Sequence, residues 1–493
     1  MTEPRRFISV DDRRSLTPVH AVWEITLACD LKCLHCGSRA GSRRPRELST
    51  EECLTLISQL ARLGTRAVTL IGGEAYLRRD WVEIVRAISS HGMDCTLQTG
   101  GLHLTAERID EAVEAGLQGA GLSIDGLADV HDRLRGVPGS FDAAFKALRL
   151  LRDRGLPISV NTQITTATVP QLRDLMDRII NAGVASWQVQ LTVAMGRAAD
   201  HPELLLQPYE LLKLMPLLAE LYREGLKRGL LIQPGNNIGY FGPYESLWRG
   251  SGDERVHWTS CNAGQNAIGI EADGTIKGCP SLPTSPYAGG NIRDLTLKDI
   301  WRTAPELSFT RSRSTDDLWG FCRDCYYADV CRAGCTWTAH VLFGRAGNNP
   351  YCHHRAIELS QRGLRERLML AEAAPGVPFD HAQFELILEP LDGNGSSNGN
   401  KEQLDIGTRP KQLVQISPLK RSRLTVKPTS RPRTPPPALI LCRGCRRYVF
   451  ADTVTCPFCA GDVNALAAAY HDRLRAARKL SQRLRKRLKQ INI

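Results

Sequence analysis

Short apolar runs alternate with amphipathic segments over the first 195 residues of the chain. The runs are AVWEITL (21–27), AVTLIG (67–72), DCTLQT (94–99), GAGLSID (119–125), PISVNTQI (157–164) and SWQVQLTV (186–193). Between the first two lies STEECLTLISQLARLG, whose apolar residues recur at helical spacing behind Ser49 or Thr50 as the N-cap. Repeated strand–helix units predict parallel strands with right-handed crossovers and helices outside. The pattern therefore predicts an α/β fold, a partial (β/α)6 TIM-type barrel over residues 15–195.

Beyond residue 195 the patterning changes. Residues 196–255 are predicted to form a helical bridge, because YELLKLMPLLAELYREGLKRG is amphipathic. Residues 256–370 are irregular and rich in cysteine, which predicts a separate domain. Residues 390–437 are polar and basic and contain GNGSSNGNKEQ and SRPRTPPP, so a disordered linker is expected there.

The C-terminal part divides into a short cysteine-bearing module at residues 438–465 and a helix at residues 466–493. The apolar residues of the helix share one face, opposite arginines and lysines, and they are Leu474, Ala477, Leu480, Leu484, Leu488 and Ile491. The pattern predicts a basic amphipathic helix. A charged helix packing on a partner, and contact with an anionic membrane, nucleic acid or an acidic leader peptide, are the open alternatives.

Composition narrows the class of protein. The chain has 493 residues, enough for two or three domains, and 42% of them are hydrophobic. No apolar run reaches the roughly 18 residues of a membrane span, and the start, MTEPRRFISVDDRRS, lacks the apolar region of a secretory signal. The positive net charge of the chain comes from its C-terminal part, since residues 401–493 contain 21 Lys and Arg but only 5 Asp and Glu. A cytoplasmic protein is expected.

Cysteine is the strongest chemical signal, with 16 residues in the chain. A cytosolic protein does not use them as a disulfide framework, and most fall into three groups with the short spacings of metal sites, at residues 29–36, 261–352 and 442–459. The remaining two, Cys53 and Cys95, lie within a helical and a strand pattern and are predicted to be inert core residues.

The first group, Cys29, Cys33 and Cys36, follows the first predicted strand and so falls on the active-site face of the barrel. Three thiolates can hold three irons of a 4Fe-4S cluster and leave the fourth for a small molecule; an incomplete zinc site and unrelated buried thiols are the alternatives. Cys-x3-Cys-x2-Cys in this place resembles the radical S-adenosylmethionine (SAM) superfamily. The resemblance implies that these cysteines are the catalytic centre, where SAM completes the cluster and is cleaved to a 5′-deoxyadenosyl radical.

The same resemblance implies a set of SAM-binding residues, namely His35, Gly72, Gly73, Glu74, Ser123 and Arg135. The Gly-Gly-Glu run is similar to the family's Gly-Gly-Glu-Pro turn beside the methionine amine, with Ala75 in place of proline. Ser123 and Arg135 are expected at the ribose and carboxylate regions of SAM, and His35 beside adenine. Arginine suits the carboxylate because its guanidinium is planar and donates two parallel hydrogen bonds.

The second group resembles the SPASM extension of radical SAM enzymes, which carries auxiliary 4Fe-4S clusters. It comprises Cys261, Cys279, Cys322, Cys325, Cys331, Cys335 and Cys352. The resemblance implies that Cys322, Cys325, Cys331 and Cys352 hold one auxiliary cluster. It implies that Cys261, Cys279 and Cys335 hold the other, whose fourth iron is left to His257, a distant group, water or substrate.

The third group, Cys442-x2-Cys445-x10-Cys456-x2-Cys459, has the paired spacing of a zinc ribbon. The pattern predicts Zn2+, with a rubredoxin-like iron as the alternative. A metal here would staple a module that is too small to have its own core.

The resemblance also implies a substrate class. SPASM enzymes mostly modify peptides, so a maturase of a ribosomally synthesised precursor peptide is expected. The stretches TLIGGEAYLR, LTVAMGRAAD, GNNIGYFGPYE and GCTWT resemble a subgroup linked to precursors with a Tyr-x10-Gly-Asp-Leu motif. Members of that subgroup are similar to spliceases, which excise a tyrosine-derived tyramine unit and leave an α-keto-β-amino acid.

Other chemistries stay open at this point. Peptide crosslinking, dehydrogenation, and a nucleic-acid-acting radical enzyme that uses the basic tail are the alternatives. A nonenzymatic electron carrier is disfavoured, because the first group lacks a fourth thiolate. Pro280 follows Cys279 where sulfatase-maturing relatives have an aspartate base, which argues against formylglycine formation.

Partners follow from the same expectations. Too few residues precede Trp23 for a leader-binding domain, so a separate small leader-recognition protein, or the C-terminal ribbon in that role, is expected. Reduction of the first cluster implies a flavodoxin- or ferredoxin-type reductant.

Overall fold

The computed structural model describes residues 6–391, apart from 251 and 260, and residues 438–490. Its centre is a ten-stranded sheet. The strands in chain order are β1 (His20–Glu24), β2 (Ala67–Ile71), β3 (Asp94–Thr99), β4 (Leu117–Ser123), β5 (Ile158–Ile164), β6 (Ser186–Leu191), β7 (Leu231–Pro234), β8 (Ala267–Ile270), β9 (Thr275–Lys277) and β10 (Ala288–Asn291). The spatial order is β10-β9-β8-β1-β2-β3-β4-β5-β6-β7, and every pair from β8 to β7 is parallel. The predicted partial barrel with an attached SPASM domain is therefore confirmed.

Helices cover the outside of the barrel and build the C-terminal parts. They are α1 (Val10–Ser15), α2 (Thr50–Arg62), α3 (Trp81–Ser90), α4 (Ala106–Glu114), α5 (Ala128–Arg135), α6 (Ser140–Asp153), α7 (Leu172–Asn181), α8 (Leu211–Lys227), α9 (Glu245–Gly250), α10 (Thr284–Tyr287), α11 (Leu297–Thr303), α12 (Ala328–Cys331), α13 (Thr336–Phe343), α14 (His353–Gln361) and α15 (Val463–Gln490). Two hairpins complete the described residues, β11 (Leu364–Glu372) with β12 (Gln383–Pro390), and β13 (Leu439–Leu441) with β14 (Tyr448–Phe450).

Local sequence explains the barrel helices. Ser49, rather than Thr50, is the N-cap of α2, and it forms a reciprocal capping box with Glu52. Such a cap contributes about 1 kcal/mol to helix stability. The buried face of α2 includes Cys53, and Cys95 lies on the buried face of β3; both are 0% exposed. Their expected place in the core is confirmed.

The region at 196–255 differs from the helical bridge expected for it. It contains α8 and α9, but also β7, which extends the parallel sheet beyond β6. Strand β7 has only four residues and directly follows a long amphipathic helix, so its apolar pattern is too short to stand out. The partner of β1 on its other side is β8, which begins the SPASM domain. The two domains therefore share one sheet.

The predicted linker at 390–437 lies outside the described residues from position 392 onward. The C-terminal helix α15 begins at Val463, and the described side chains on its predicted apolar face, including Leu474, Leu480 and Leu484, are exposed. Leu488 and Ile491 fall outside the described side chains. Among the helices the structure describes, none has the length and hydropathy to cross a membrane.

Candidate active site and cysteine clusters

The first cysteine group lies in the loop after β1, at the carboxyl end of the parallel sheet. The loop is held by backbone hydrogen bonds: Cys29 N donates to Gly41 O at 3.0 Å, and Gly41 N donates to Leu27 O at 2.9 Å. Lys32 N donates to the carbonyl of Arg135 at 2.9 Å, which fixes the loop against the end of α5. The three thiols are thus presented by a braced loop.

Donors surround the sulfurs of this loop. Leu31 N lies 3.4 Å from Cys29 Sγ, Ala40 N lies 3.3 Å from Cys36 Sγ, and Arg135 Nη1 lies 3.7 Å from Cys33 Sγ. Burial raises the pKa of Cys33 to about 11, so a thiolate there requires a bound cation. Burial favours the protonated thiols, whereas the N–H donors that point at the sulfurs favour thiolates. This arrangement fits a set of iron ligands. The site therefore fits a cluster held by three cysteines.

A buried ion network lies directly behind the loop. Asp125, which follows β4 and is 0% exposed, has Oδ2 at 3.0 Å from His35 Nε2 and 2.6 Å from Arg135 Nη2. Burial opposes ionisation of Asp125, but Arg135 and then His35 hold the pKa of this carboxyl below its ordinary value. His131 Nδ1 accepts from Asp125 N at 3.0 Å. The network orients His35, which lies within the cysteine loop, and Arg135, which ends α5.

The contacts of Arg135 bear on its predicted role at the carboxylate of SAM. Its guanidinium contacts Asp125 and Cys33, and its Nε is buried without a hydrogen-bond partner. His35 Nδ1 is likewise buried and unpartnered. Two orphaned polar atoms beside the cysteines fit a bound polar cofactor.

Ser123, the last residue of β4, lies in the same group of strand ends. Its Oγ accepts from Gln98 Nε2 at 3.1 Å, and Gln98 Oε1 in turn accepts from Asn161 Nδ2 at 2.6 Å. The structure therefore places Ser123 in a polar row across β3, β4 and β5. Its expected contact with SAM stays a prediction.

Gly72 and Gly73 have a packing role that the motif alone does not reveal. A Cβ on Gly72 would lie 2.2 Å from Thr26 O, and one on Gly73 would lie 2.0 Å from Ala28 O. Gly73 N donates to Thr26 O at 2.8 Å, and Glu74 N donates to Ala28 O at 2.7 Å. The glycines let the end of β2 lie directly against the backbone that leads into the cysteine loop.

Glu74 is buried beside Cys29. Its carboxylate accepts hydrogen bonds from Thr99 and from Gly100 N, the latter at 2.6 Å. Burial raises the pKa of Glu74 to about 8, against the lowering effect of these two donors. Cys29, Asp30 and Glu74 bring their ligand atoms within 4.8 Å of one another.

Replacement of Gly73 by alanine tests the packing of this turn. We expect Gly73→Ala to destabilise the fold by about 3 kcal/mol or more, because the new methyl group meets backbone atoms that cannot move aside. Thermal unfolding and the iron content after anaerobic reconstitution measure the effect. Gly41→Ala, in the same loop but with no atom within 4 Å of the added Cβ, is the matched control and should unfold near the wild-type temperature.

A cavity of about 190 Å³ connects the cysteine loop with the SPASM domain. Its wall on the loop side includes His35, Gly37 and Gly72, and its wall on the SPASM side includes Pro280 and Ser281. The remaining lining combines aromatic and polar side chains, among them Gln163, Thr192, Met195, Trp337 and Phe379. One cavity therefore borders both the first cysteine group and the residues next to Cys279.

Three buried charged side chains, Glu24, Glu271 and Lys277, line this cavity, and Arg44 pairs with the two carboxylates. The sequence patterns did not indicate this network. Arg44 Nη1 lies 2.8 Å from Glu271 Oε2, and Lys277 Nζ lies 2.6 Å from Glu271 Oε1. Arg44 Nε lies 3.1 Å from Glu24 Oε1. The ring of Phe379 covers the Lys277 ammonium at 4.0 Å. The four charges come from β1, the cysteine loop and the strands of the SPASM domain, so only the assembled sheet brings them together.

Glu24 predicts a pH dependence of stability. Burial raises the pKa of Glu24 from 4.5 to about 7, with Arg44 and Lys277 opposing the shift and Glu271 adding to it. Between these values the Glu24 carboxyl binds more protons in the folded protein than in the unfolded chain, so its contribution to stability is lost as pH rises from about 4.5 to about 7. We expect Glu24→Gln to remove this contribution, so that the difference in Tm between wild type and variant changes across this pH range.

The control for this profile is an exposed carboxylate. Glu51→Gln on the outer face of α2 should leave the slope unchanged. Buried histidines with lowered pKa values, such as His131 and His340, contribute the opposite slope, so the variant is compared with the wild type at each pH. A profile that Glu24→Gln leaves unchanged would contradict the burial argument.

Four SPASM cysteines surround a second, apolar cavity. Cys322, Cys325, Cys331 and Cys352 all line it, together with aromatic side chains that include Tyr240, Phe241 and Tyr327. Asn349 N lies 3.5 Å from Cys322 Sγ, and Tyr327 N lies 3.4 Å from Cys325 Sγ. Four thiols around one apolar space, with amide donors aimed at the sulfurs, fit an iron–sulfur cluster.

The other SPASM cysteines, Cys261, Cys279 and Cys335, also lie close together. Burial first, and then the neighbouring thiols, raise the pKa of Cys261 to about 12 and of Cys279 to about 11. The expected alternative ligand His257 has a different environment. Its ring packs against Phe241 and Tyr448, with centroids 6.0 and 5.3 Å apart.

The C-terminal cysteines form a compact tetrahedral set. The sulfurs of Cys442, Cys445, Cys456 and Cys459 all lie within 4.8 Å of one another. Cys442 Sγ lies 3.8 Å from Cys459 Sγ, and Cys445 Sγ lies 3.7 Å from Cys456 Sγ. A tetrahedral ion with metal–sulfur bonds of about 2.3 Å requires sulfur–sulfur distances of about 3.8 Å. The donor set therefore fits a single thiophilic ion such as Zn2+.

Two parts of the chain match known family models. Residues 23–179 match the Radical SAM superfamily, and residues 261–326 match SPASM, an iron-sulfur cluster-binding domain. Together with the three-cysteine loop, these matches show a radical SAM enzyme with SAM and iron–sulfur clusters as cofactors.

Curated relatives span most of the barrel and SPASM region. An AdoMet-dependent heme synthase of Oleidesulfovibrio alaskensis is 29% identical over 68% of this chain and 86% of that protein. The mycofactocin maturase MftC of Mycobacterium tuberculosis is 28% identical over 68% of this chain and 83% of that protein.

Solved structures share the fold. Streptococcus suis SuiB bound to S-adenosylmethionine superposes with a TM-score of 0.53 at 19% identity, covering 68% of this chain and 76% of SuiB. The enzyme anSMEcpe with bound AdoMet superposes with a TM-score of 0.55 at 17% identity, covering 69% of this chain and 95% of anSMEcpe.

Proposed function

We propose that this chain is a radical SAM peptide maturase that modifies a side chain of a ribosomally synthesised precursor peptide. The observation that carries the proposal is the cavity of about 190 Å³ that borders both the three-cysteine loop and the SPASM domain. A substrate group placed there lies beside the radical source and beside the residues that follow Cys279.

The size of the cavity supports a side chain as the reacting group. Pockets for whole small-molecule ligands usually measure about 300–1,000 Å³. This cavity is smaller, and the cofactor that completes the first cluster must share it. The hypothesis of a peptide substrate is also supported by the similarity to the maturase MftC and to SuiB, whose structure with the precursor peptide SuiA is known.

The residues around the cavity have distinct roles in this proposal. Cys29, Cys33 and Cys36 would hold the cluster that, with bound SAM, supplies a 5′-deoxyadenosyl radical. Asp125 orients His35 and Arg135 beside the loop. Burial of this network excludes water from the place where a radical must survive.

A finer proposal concerns the modified residue. We propose a tyrosine, with splicease-like excision of a tyramine unit. The cavity wall pairs aromatic and apolar groups, such as Trp337 and Phe379, with the polar Gln163 and Thr192, which suits a ring that ends in a hydroxyl group. Pro280 follows Cys279 where formylglycine-forming relatives have an aspartate, and this difference agrees with a different fate of the radical.

The test uses the anaerobically reconstituted enzyme with dithionite, SAM and a precursor peptide from the neighbouring genes. Mass spectrometry follows 5′-deoxyadenosine and the peptide. A peptide mass loss that matches tyramine supports the splicease, and a loss of two hydrogens supports crosslinking or dehydrogenation. Deoxyadenosine coupled to turnover of Fe-coproporphyrin III, with the peptide unchanged, would overturn the peptide proposal.

Partners are tested in the same system. We propose a separate small leader-recognition protein and a flavodoxin- or ferredoxin-type reductant. Replacement of dithionite by a reduced flavodoxin should preserve turnover, and addition of the leader-recognition protein should lower the peptide concentration that gives half-maximal rate.

A further inference from the structure

The C-terminal ribbon (residues 438–465) is docked on the SPASM domain. Tyr327 Oη donates to the carbonyl of Tyr448 at 2.6 Å. In return, Tyr448 Oη lies 3.0 Å from Glu254 O and 2.9 Å from Val256 O. Phe450 N donates to Tyr326 Oη at 3.0 Å. The contacts run in both directions and include backbone atoms of both parts, which defines one orientation.

Charged and aromatic contacts complete the interface. Arg447, with a side chain only 4% exposed, donates to Glu358 Oε1 at 2.8 Å and also contacts His354. The Phe458 ring lies 5.8 Å from the ring of His354 and 5.2 Å from that of Tyr326, between centroids. A buried arginine with a carboxylate partner and a ring packed among rings are features of a specific interface.

The covered surface is the outer wall of the four-cysteine cavity. Tyr327 and His354 line the cavity of Cys322, Cys325, Cys331 and Cys352 on one side. On the other side, the same two side chains contact Tyr448, Phe458 and Arg447 of the ribbon. They are 0% and 3% exposed in the docked arrangement. The ribbon is therefore the second layer of the wall around this cluster site.

The two Cys-x2-Cys turns of the ribbon, 442–445 and 456–459, are its metal knuckles. They position the ribbon residues that contact the SPASM domain. Phe458 lies between Cys456 and Cys459, and Arg447 follows Cys445 by two positions. Cys442 N donates to Arg447 O at 2.9 Å, within the first knuckle. The ribbon's own core is small: Val449 and Val463 are the buried residues that join its cysteines, while Leu439, Leu441 and Tyr448 are buried in the cluster with Tyr327 of the SPASM domain. Without a metal, little else would hold Phe458 and Arg447 in position.

We propose that the ribbon is a metal-dependent cap that seals the auxiliary cluster site of Cys322, Cys325, Cys331 and Cys352 from solvent. A thiophilic divalent ion such as Zn2+ fixes the conformation of the two knuckles. The knuckles in turn hold Phe458 and Arg447 in contact with Tyr327 and His354. Occupancy of the ribbon metal thereby controls the exposure and lifetime of a cluster held by other residues. The proposal goes beyond the proposed function and does not depend on the substrate.

The experiment uses the full-length holoenzyme with all clusters installed. Arg447→Ala with Phe458→Ala removes the two ribbon side chains that contact His354 but leaves every metal ligand and the Tyr448 contacts. Cys442→Ser with Cys445→Ser removes the ribbon metal. Both variants are exposed to air, and iron release is followed together with hydrogen exchange of residues 321–331 and 352–358. We expect iron release from one cluster to accelerate several-fold in both, with increased exchange in the two segments.

Controls separate docking from general damage. Arg475→Ala, on the exposed surface of α15, should behave as wild type. Tyr448→Phe removes one hydroxyl from the interface without a cavity and should give an intermediate exchange rate, so the proposal stays testable if the double variants fold poorly. Unchanged iron release and unchanged exchange after loss of the ribbon metal would overturn it. Wild-type protection combined with loss of peptide or nucleic acid binding would instead assign the ribbon to substrate recognition.

Discussion

Replacement of Cys29, Cys33 and Cys36 together by alanine is expected to abolish 5′-deoxyadenosine formation and every peptide modification. The reason is that these thiols lie in the braced loop after β1, beside orphaned polar atoms of His35 and Arg135, and are the proposed ligands of the cluster to which SAM would bind. The variant should lose about four of about twelve irons per chain, because we propose that each auxiliary site holds its own 4Fe-4S cluster. Iron analysis, anaerobic absorption spectra and deoxyadenosine assays measure these outcomes.

The control for this variant is a cysteine with no metal role. Cys95→Ala, in the core of β3, should keep the full iron content and its activity at a stability cost of about 1 kcal/mol. Deoxyadenosine formation by the triple variant at the wild-type rate would place the radical cluster elsewhere. Loss of all iron in the triple variant would mean that the auxiliary sites fold only after the first one.

The second large effect is expected from Asp125→Asn. Asp125 is 0% exposed and neutralises Arg135, whose side chain is 10% exposed, while it also orients His35. Loss of the negative charge leaves a buried guanidinium without its counter-ion, which typically costs about 3–5 kcal/mol. We expect a lower Tm and weaker SAM binding, since Arg135 and His35 both lose their orientation. Thermal unfolding and isothermal titration with SAM check these two outcomes.

An exposed ion pair is the matched control. Glu220 pairs with Arg173 at 2.5 Å, but their side chains are 59% and 49% exposed. Glu220→Gln should leave the unfolding temperature close to that of the wild type, because solvent screens such pairs. If Asp125→Asn unfolded at the wild-type temperature and bound SAM normally, Arg135 would have another counter-ion.

The barrel could be predicted because its signals are local. Each of β1 to β6 has its own apolar run, and most cysteines of the three groups lie within a few residues of another one, so their spacing indicates metal binding. Strand β7 could not be predicted in the same way, since its four residues have too little pattern of their own. The sheet specifies it through its pairing with β6.

The role of the glycines at 72 and 73 could be predicted only in part. Their motif resembles a cofactor turn, and that is all the sequence indicates. The structure adds that a Cβ at either position would collide with carbonyl oxygens of the segment after β1. The backbone approach that makes glycine necessary arises between two separate strands, so no local pattern contains it.

The sequence by itself determined the fold class, the cysteine groups and the type of chemistry, because periodicity and metal-ligand spacing act over a few neighbouring residues. Only the tertiary structure decided how Asp125 joins His35 to Arg135, how Glu24, Arg44, Glu271 and Lys277 form one ion network, and where the ribbon docks. Each of these arrangements joins residues that are distant in the chain. Their energies depend on burial and on distances between side chains, which exist only once the sheet and the two domains have assembled.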